Sequence, residues 1–369
     1  MSGMPAPSIP NLLTLRHSRG GSGIRARTRG RGGASSSATA QHTPSDDEVI
    51  QGTDTDAAEC RRSAVELDYL EDPYAQFFKA PGSRPARRKE PLINRGTYVR
   101  TTALDMLIEV FLSSTAEGGE RQIVSLGAGT DTRPFRLFEG QKQGKLIYHE
   151  VDFPNVTKQK YRTVESTPKI RAVIPNPGFV DETEKTWRDE ALPNANQYWC
   201  HGLDLRDLSK PDATSLLGLR TDVPTLLISE CCLCYLSVEQ ASKVVEYFKT
   251  RIDRLSLVIY EPIILSLDDP FGKKLRDNLK SRGIQMPTVE TFKTTSEQEK
   301  RLKDAGFESC HSVSVRKIWE DWISPDEKER VDSLEGLDEL EEWNIVGDRY
   351  SISWGWKGID LKGWRLGPV

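Results

Sequence analysis

An α/β domain with a mostly parallel sheet, helices on both faces and a helical lid ahead of it is the architecture this sequence predicts. Strand-like apolar runs and helix-period stretches alternate from residue 121 onward. One run, IVSL, stops at the glycine turn of GAGTD (residues 123–131), and a second, YHEV, stops about twenty residues later at Asp152. Parallel neighbours need crossover connections, and crossovers put helices over both faces of the sheet.

Residues 1–45 contain no acid, and Arg16, Arg19, Arg25, Arg27, Arg29 and Arg31 stand there among Gly, Ser and Pro. Such a segment has too little apolar surface to offset its ordering entropy, so residues 1–55 are expected to be a disordered basic tail outside the fold. It reads as a solvated extension, an Arg- and Ser-rich organellar transit segment or a basic interaction arm. From residue 56 a helical lid is expected to run to residue 120. It contains a mixed stretch at 61–78, a basic loop at 81–91, and an amphipathic helix at 98–112 marked by Val99, Ala103, Met106 and Val110.

The core is expected over residues 121–369, with strands at 122–126, 146–151, 198–203, 225–229 and 255–260. Ser237 and Gln240 have capping-box spacing, and Ala241, Val244, Val245, Phe248 and Ile252 follow as one apolar stripe, which predicts a helix after the fourth strand. A second box at Ser296 and Glu299 predicts a helix ending at Gly306. The alternation in RYSISWGW (residues 349–356) predicts a last, antiparallel strand. Residues 170–196 read as a polar, Pro-containing insertion. The pairs Trp319/Trp322 and Trp354/Trp356 are expected to pack at the sheet edge.

Composition narrows the function. The formal net charge is −4, and setting aside the six tail arginines leaves the rest near −10, which argues against nucleic-acid binding by the folded part. No apolar run approaches the roughly 20 residues of a membrane span, so a soluble protein is expected. Cys60, Cys200, Cys231, Cys232, Cys234 and Cys310 cluster around a buried strand, which suits reduced thiols in the cytoplasm. A nuclear setting, or an organellar one under the transit reading, stays open. Cys231 and Cys234 lack a second pair or a neighbouring His, so they read as core and no metal is expected. None of the five histidines falls in a nucleophile-base motif; His149 and His201 read as strand-end residues.

Ligands of open α/β sheets bind beyond the carboxyl ends of the strands. The polar residues expected there are Gly127 and Gly129, Asp152, Asp204, and Glu230. The glycines let a ligand approach the backbone, and Asp152 offers two acceptor oxygens to a pair of ribose hydroxyls. After Gly129 comes Thr130-Asp131-Thr132, with no third glycine for a dinucleotide fingerprint. That departure favours S-adenosylmethionine over NAD as the ligand.

The motifs Asp72-Pro-Tyr, Ile93-Asn-Arg-Gly with Arg100, Leu126-Gly-Ala-Gly, Glu150-Val-Asp-Phe-Pro, Asp204-Leu-Arg-Asp-Leu and Glu230-Cys with Tyr235 occur in one order. With Arg61-x-x-Ala-Val before them, the set resembles the leucine carboxyl methyltransferase family. The resemblance runs from about Cys60 to the C-terminal region. It implies a Rossmann-like class I S-adenosylmethionine-dependent fold and methyl-esterification of the C-terminal leucine of the type 2A protein phosphatase catalytic subunit, which regulates holoenzyme assembly, by a monomer. The alternative is a related O-methyltransferase acting on a small-molecule or tRNA carboxylate. Carried over by position, the resemblance implies a cofactor site of Arg61, Arg100, Gly127, Asp152, Asp204, Leu205 and Glu230. Arg61 stands where the family usually has Lys. Arg100 and Arg61 would hold the methionine carboxylate, Asp152 the ribose, Asp204 the adenine amino group with Leu205 on the ring, and Glu230 the methionine ammonium. A C-terminal carboxylate is ionised at neutral pH, so no general base is expected, and Tyr235 is the candidate for positioning it.

Overall fold

The computed structural model describes residues 45–78, 88–114, 119–140, 145–180, 182–183, 185–265, 270–336 and 340–364. Residues 1–44 of the expected tail and 79–87 of the basic loop lie outside the described residues. The five predicted core strands are present as β1 (Glu120–Leu126), β2 (Lys145–Asp152), β5 (Gln197–Gly202), β6 (Thr225–Glu230) and β7 (Leu255–Pro262). The polar insertion supplies β3 (Gly178–Phe179) and β4 (Thr186–Asp189) as an antiparallel hairpin. β8 (Ser309–Ser314) and β9 (Tyr350–Lys357) complete one sheet in the order β3-β4-β5-β2-β1-β6-β7-β9-β8. The central five strands are parallel, and β4 and β9 join them antiparallel.

β8 escaped prediction because its sequence, SCHSVS, is polar and lacks a clear apolar alternation. Its pairing to β9, from Ser309–Trp356 to Ser314–Ser351, makes it a strand. This is a case of tertiary context overriding propensity. The second capping box also shifts: Thr294 and Glu297 cap helix Thr295–Asp304, two residues ahead of the predicted pair. That box wins because Thr294 is extended and outside the helix, as an N-cap must be. Gly306, at φ 90°, stops the helix as predicted.

Alternate residues of the strands feed two cores. Ile123, Tyr148, Tyr198, Leu226 and Val258 face one side, where they meet α2 (Pro91–Ser113) through residues such as Val99, Leu104 and Phe111. Val124, Val151, Leu227 and Leu257 face the other and meet helix Val238–Lys249 through Val244 and Phe248. Each large side chain so buried stabilises the fold by about 1.5–3 kcal/mol.

The N-terminal boundary moves. α1 (Asp46–Glu66) begins ten residues before the predicted start of the lid. Ser45 Oγ accepts from the Glu48 N–H at 3.3 Å, and Glu48 Oε2 accepts from the Ser45 N–H at 2.8 Å. No apolar stripe announces this capping box in the sequence, because α1 is polar along its first half.

Candidate active site

The parallel register brings the ends of β5, β2, β1 and β6 side by side. Leu126 is opposite both Val151 and Ser229, and Asp152 is opposite Gly202. The residues that follow therefore converge on one cleft. α1 crosses it: Asp47 meets Arg206 at 2.7 Å, Asp54 accepts from both the N–H and the hydroxyl of Thr130 at 2.7 Å, and Arg61 meets Asp72 at 3.1 Å. Between helix and strand ends lies a cavity of about 260 Å³. Arg61, Arg100, Gly127, Asp152, Asp204, Leu205, Glu230 and Tyr235 all line it.

Gly127 and Gly129 turn the chain at φ 63° and 48°, the left-handed region that favours glycine. A Cβ on Gly127 would stand 2.5 Å from Cys232 Sγ, and one on Gly129 would stand 2.3 Å from Asp54 Oδ1. Asp152 anchors the turn. Its Oδ2 accepts from the Gly129 N–H and its Oδ1 from the Phe153 N–H, both at 2.7 Å. A carboxylate has about four acceptor sites, so each oxygen keeps one for a ligand. Burial, with Asp54 adding repulsion, pushes the Asp152 carboxyl up to about 6 despite those two hydrogen bonds.

At the other end of the cavity Arg100 Nε lies 2.8 Å from Glu230 Oε1, and Arg133 Nη1 lies 3.0 Å from Glu230 Oε2. Burial disfavours the charge on Arg100, but its neighbours together, Glu230 foremost, outweigh that and the guanidinium is held charged. Asp131 is likewise buried, yet Arg133, Arg61 and Lys160 hold its carboxyl far below the usual range. A cation and an anion side by side match the zwitterionic end of an amino acid. Phe153, Val156, Leu203 and Leu205 supply an apolar wall at the far side. The donor set therefore fits S-adenosylmethionine from its amino-acid end to its adenine.

Asp204 lines the cavity beside Leu205. It N-caps the short helix Leu205–Leu208, and both its oxygens accept from the Arg206 side chain, Oδ1 at 2.9 Å and Oδ2 at 2.8 Å from Nε. Three Arg206 donors, the backbone N–H, Nε and Nη2, address these oxygens, and about four acceptor sites per carboxylate leave one over. Of the two cysteines read as core, Cys234 is buried there, while Cys231 packs half-buried against it and, like Cys232, also lines the cavity. Cys231 sits at φ 50°, a strained conformation for a side-chain-bearing residue, and burial pushes its thiol up to about 12. His149 lies within β2, not at its end, and stacks on His201 with ring nitrogens 3.0 Å apart. Burial lowers both, His201 to about 3. Neither lines the cavity.

Residues 49–249 match the leucine carboxyl methyltransferase family. The chain belongs to this family. It is 41% identical to leucine carboxyl methyltransferase 1 of Emericella nidulans, with 96% of this chain and 95% of the relative covered. The same-named proteins of Aspergillus fumigatus and Rattus norvegicus are 42% and 33% identical over 96% and 85% of this chain, and over 94% and 91% of their own lengths. The protein is an S-adenosylmethionine-dependent leucine carboxyl methyltransferase. Among the described residues no helix is long and apolar enough to cross a membrane.

Asp54, Thr53, Asp131 and Arg206 also line the site and went unrecognised in the sequence. Asp54 belongs to the polar half of α1, and only the fold brings it 76 positions forward to Thr130. Asp131 carries a signal, since an acid two residues beyond the last glycine of a turn at a strand end is placed to meet a ligand or a cation.

Proposed function

We propose that this enzyme methyl-esterifies the C-terminal leucine α-carboxylate of the type 2A protein phosphatase catalytic subunit. Membership of the leucine carboxyl methyltransferase family supports the reaction, and the ordered motifs that end at Tyr235 support the substrate. The observation that carries the reading is that all eight residues expected at the site line a single cavity.

S-adenosylmethionine supplies an electrophilic methyl group on a sulfonium. The protein's residues bind, orient and exclude water. Asp152 accepts from the ribose hydroxyls with the acceptor sites left free by Gly129 and Phe153. Arg100 and Arg61 hold the ligand carboxylate, and Glu230 holds its ammonium. α1 covers the cavity, and its Thr53 shares a hydrogen bond with Tyr235. The substrate carboxylate, with a pKa of about 3.5, is already ionised, so no side chain needs to take a proton. Holding it in line is worth up to roughly 7–11 kcal/mol at the well-aligned limit. A cation gripping that carboxylate would stabilise the charged ground state more than the transition state, in which charge is neutralised. The neutral Tyr235 hydroxyl avoids that penalty; burial holds its pKa well above the ordinary value. Six free cysteines suit a reducing, cytoplasmic setting.

The test is transfer of radiolabelled methyl to purified phosphatase, intact or lacking its C-terminal leucine, by wild type and Asp152→Ala. Base-labile label confined to the intact phosphatase and lost with Asp152→Ala is the expected result. Binding of S-adenosylmethionine with no label on the phosphatase would move the substrate to another carboxylate.

A further inference from the structure

Six charged side chains alternate in sign around the amino-acid end of the cavity. Arg100 meets Glu230 at 2.8 Å, Glu230 meets Arg133 at 3.0 Å, and Arg133 meets Asp131 at 2.6 Å. Asp131 meets Arg61 at 3.9 Å, and Arg61 meets Asp72 at 3.1 Å. Five of the six have a place in the sequence motifs or on the cavity wall. The central one, Arg133, has neither: its side chain is 1% exposed and is absent from the cavity lining. It nevertheless makes the most ion pairs of the six, to Asp105, Asp131 and Glu230. Its Nε lies 2.9 Å from Asp105 Oδ1, its Nη1 bridges Asp131 and Glu230, and its backbone N–H donates to Asp131 Oδ1 at 3.0 Å. Asp105 is held in turn by Arg136 at 2.8 Å.

We infer that Arg133 is the positioning residue for the amino-acid end of S-adenosylmethionine, acting through Glu230 and Asp131 without touching the ligand. The inference rests on the reading that Arg61, Arg100 and Glu230 hold that end. Glu230 and Asp131 are two carboxylates facing one cavity. Without a cation between them they would repel each other and draw Arg100 and Arg61 onto themselves. Those guanidiniums would then be withdrawn from the ligand carboxylate. With Arg133 bridging, each cavity-lining cation keeps donors for the ligand, and Glu230 is held facing the ammonium. A guanidinium is suited to this because its planar fork addresses carboxylates in two directions at once, whereas an ammonium is a point charge.

S-adenosylhomocysteine and 5′-methylthioadenosine share adenine, ribose and sulfur, and only the first carries the amino-acid end. Calorimetric Kd values for both would be measured on wild type, Arg133→Lys and Arg133→Met, with the ligand-free melting temperature of each. Wild type is expected to prefer S-adenosylhomocysteine. Arg133→Met should weaken S-adenosylhomocysteine by at least about tenfold while leaving 5′-methylthioadenosine within about twofold, and Arg133→Lys should fall between. Equal weakening of both ligands, or loss of folding in Arg133→Met with Arg133→Lys binding as wild type does, would make Arg133 structural only and overturn the inference. So would unchanged binding of both. Failure of the underlying site reading looks different: wild type itself would then bind the two ligands equally.

Discussion

The two sides of the sheet finish their business differently. At the antiparallel edge, β7, β9 and β8 end in aromatic packing that satisfies itself. Trp354 is buried and meets Trp322 edge to face at 5.4 Å, and its indole N–H donates to the Trp364 carbonyl at 2.9 Å. Trp364 donates to the Leu107 carbonyl of α2 at 2.9 Å. At the ends of β5, β2, β1 and β6, buried charges are paired yet keep acceptor and donor capacity toward a cavity. Apolar burial is complete once neighbours touch, whereas a carboxylate with one hydrogen bond per oxygen still has capacity for a ligand. The first region should govern stability, the second affinity and turnover.

The sharpest separation is expected from Trp354→Ala. It should cost about 3–5 kcal/mol of unfolding free energy in denaturant titration, with the S-adenosylmethionine Kd of the folded enzyme unchanged. A weakened Kd would break the comparison. Asp152→Ala should do the converse, raising the Kd by about 30- to 150-fold, as expected for hydrogen bonds of about 2–3 kcal/mol to a charged group, at a smaller loss of stability. The same carboxylate predicts a pH effect. Its pKa in the folded protein is raised to about 6, so it is ionised above that pH and protonated below it. Affinity for S-adenosylmethionine should therefore be full above pH 6 and decline as pH falls through 6, and Asp152→Ala should flatten that decline.

Tyr235→Phe should lower kcat more than twofold and leave the cofactor Kd unchanged; a smaller fall in steady-state turnover would remove Tyr235 from the substrate site. The smallest effect belongs to Arg206→Ala. Arg206 ties Asp47 of α1 to Asp204, exposed pairs of this kind contribute about 0–1 kcal/mol, and its loss should change the Kd by less than about fivefold. Stopped-flow measurements should show faster cofactor dissociation, because that end of α1 is released.

Much of this was legible in the chain. The five parallel strands follow from short apolar runs, and the Ser237 box and the aromatic alternation of residues 349–356 were read directly. Gly127, Asp152, Asp204 and Glu230 are marked by strand ends and Tyr235 by the segment after the fourth strand, whereas Arg61 and Arg100, which lie inside α1 and α2, and Leu205 come with the family resemblance. What escaped was non-local. β8 is a strand only because β9 pairs with it, and α1 was placed too late because its polar first half faces a cavity, not a core. The strand end marks Asp204, but the ion pair with Arg206, two residues on, which also reaches Asp47, is visible only in the fold.

By itself the sequence determined the alternation of elements, the glycine turn, the order of acids along the strands and the family to which the chain belongs, since these are encoded in spacings of a few residues. Only the tertiary structure decided how α1 lies across the strand ends, how Arg133 links Glu230 to Asp131, and which acceptor sites remain open. Those outcomes depend on side chains brought together from positions as far apart as Asp54 and Thr130, or Arg100 and Glu230, and Coulomb energy and hydrogen-bond geometry act over ångströms of space, not along the chain.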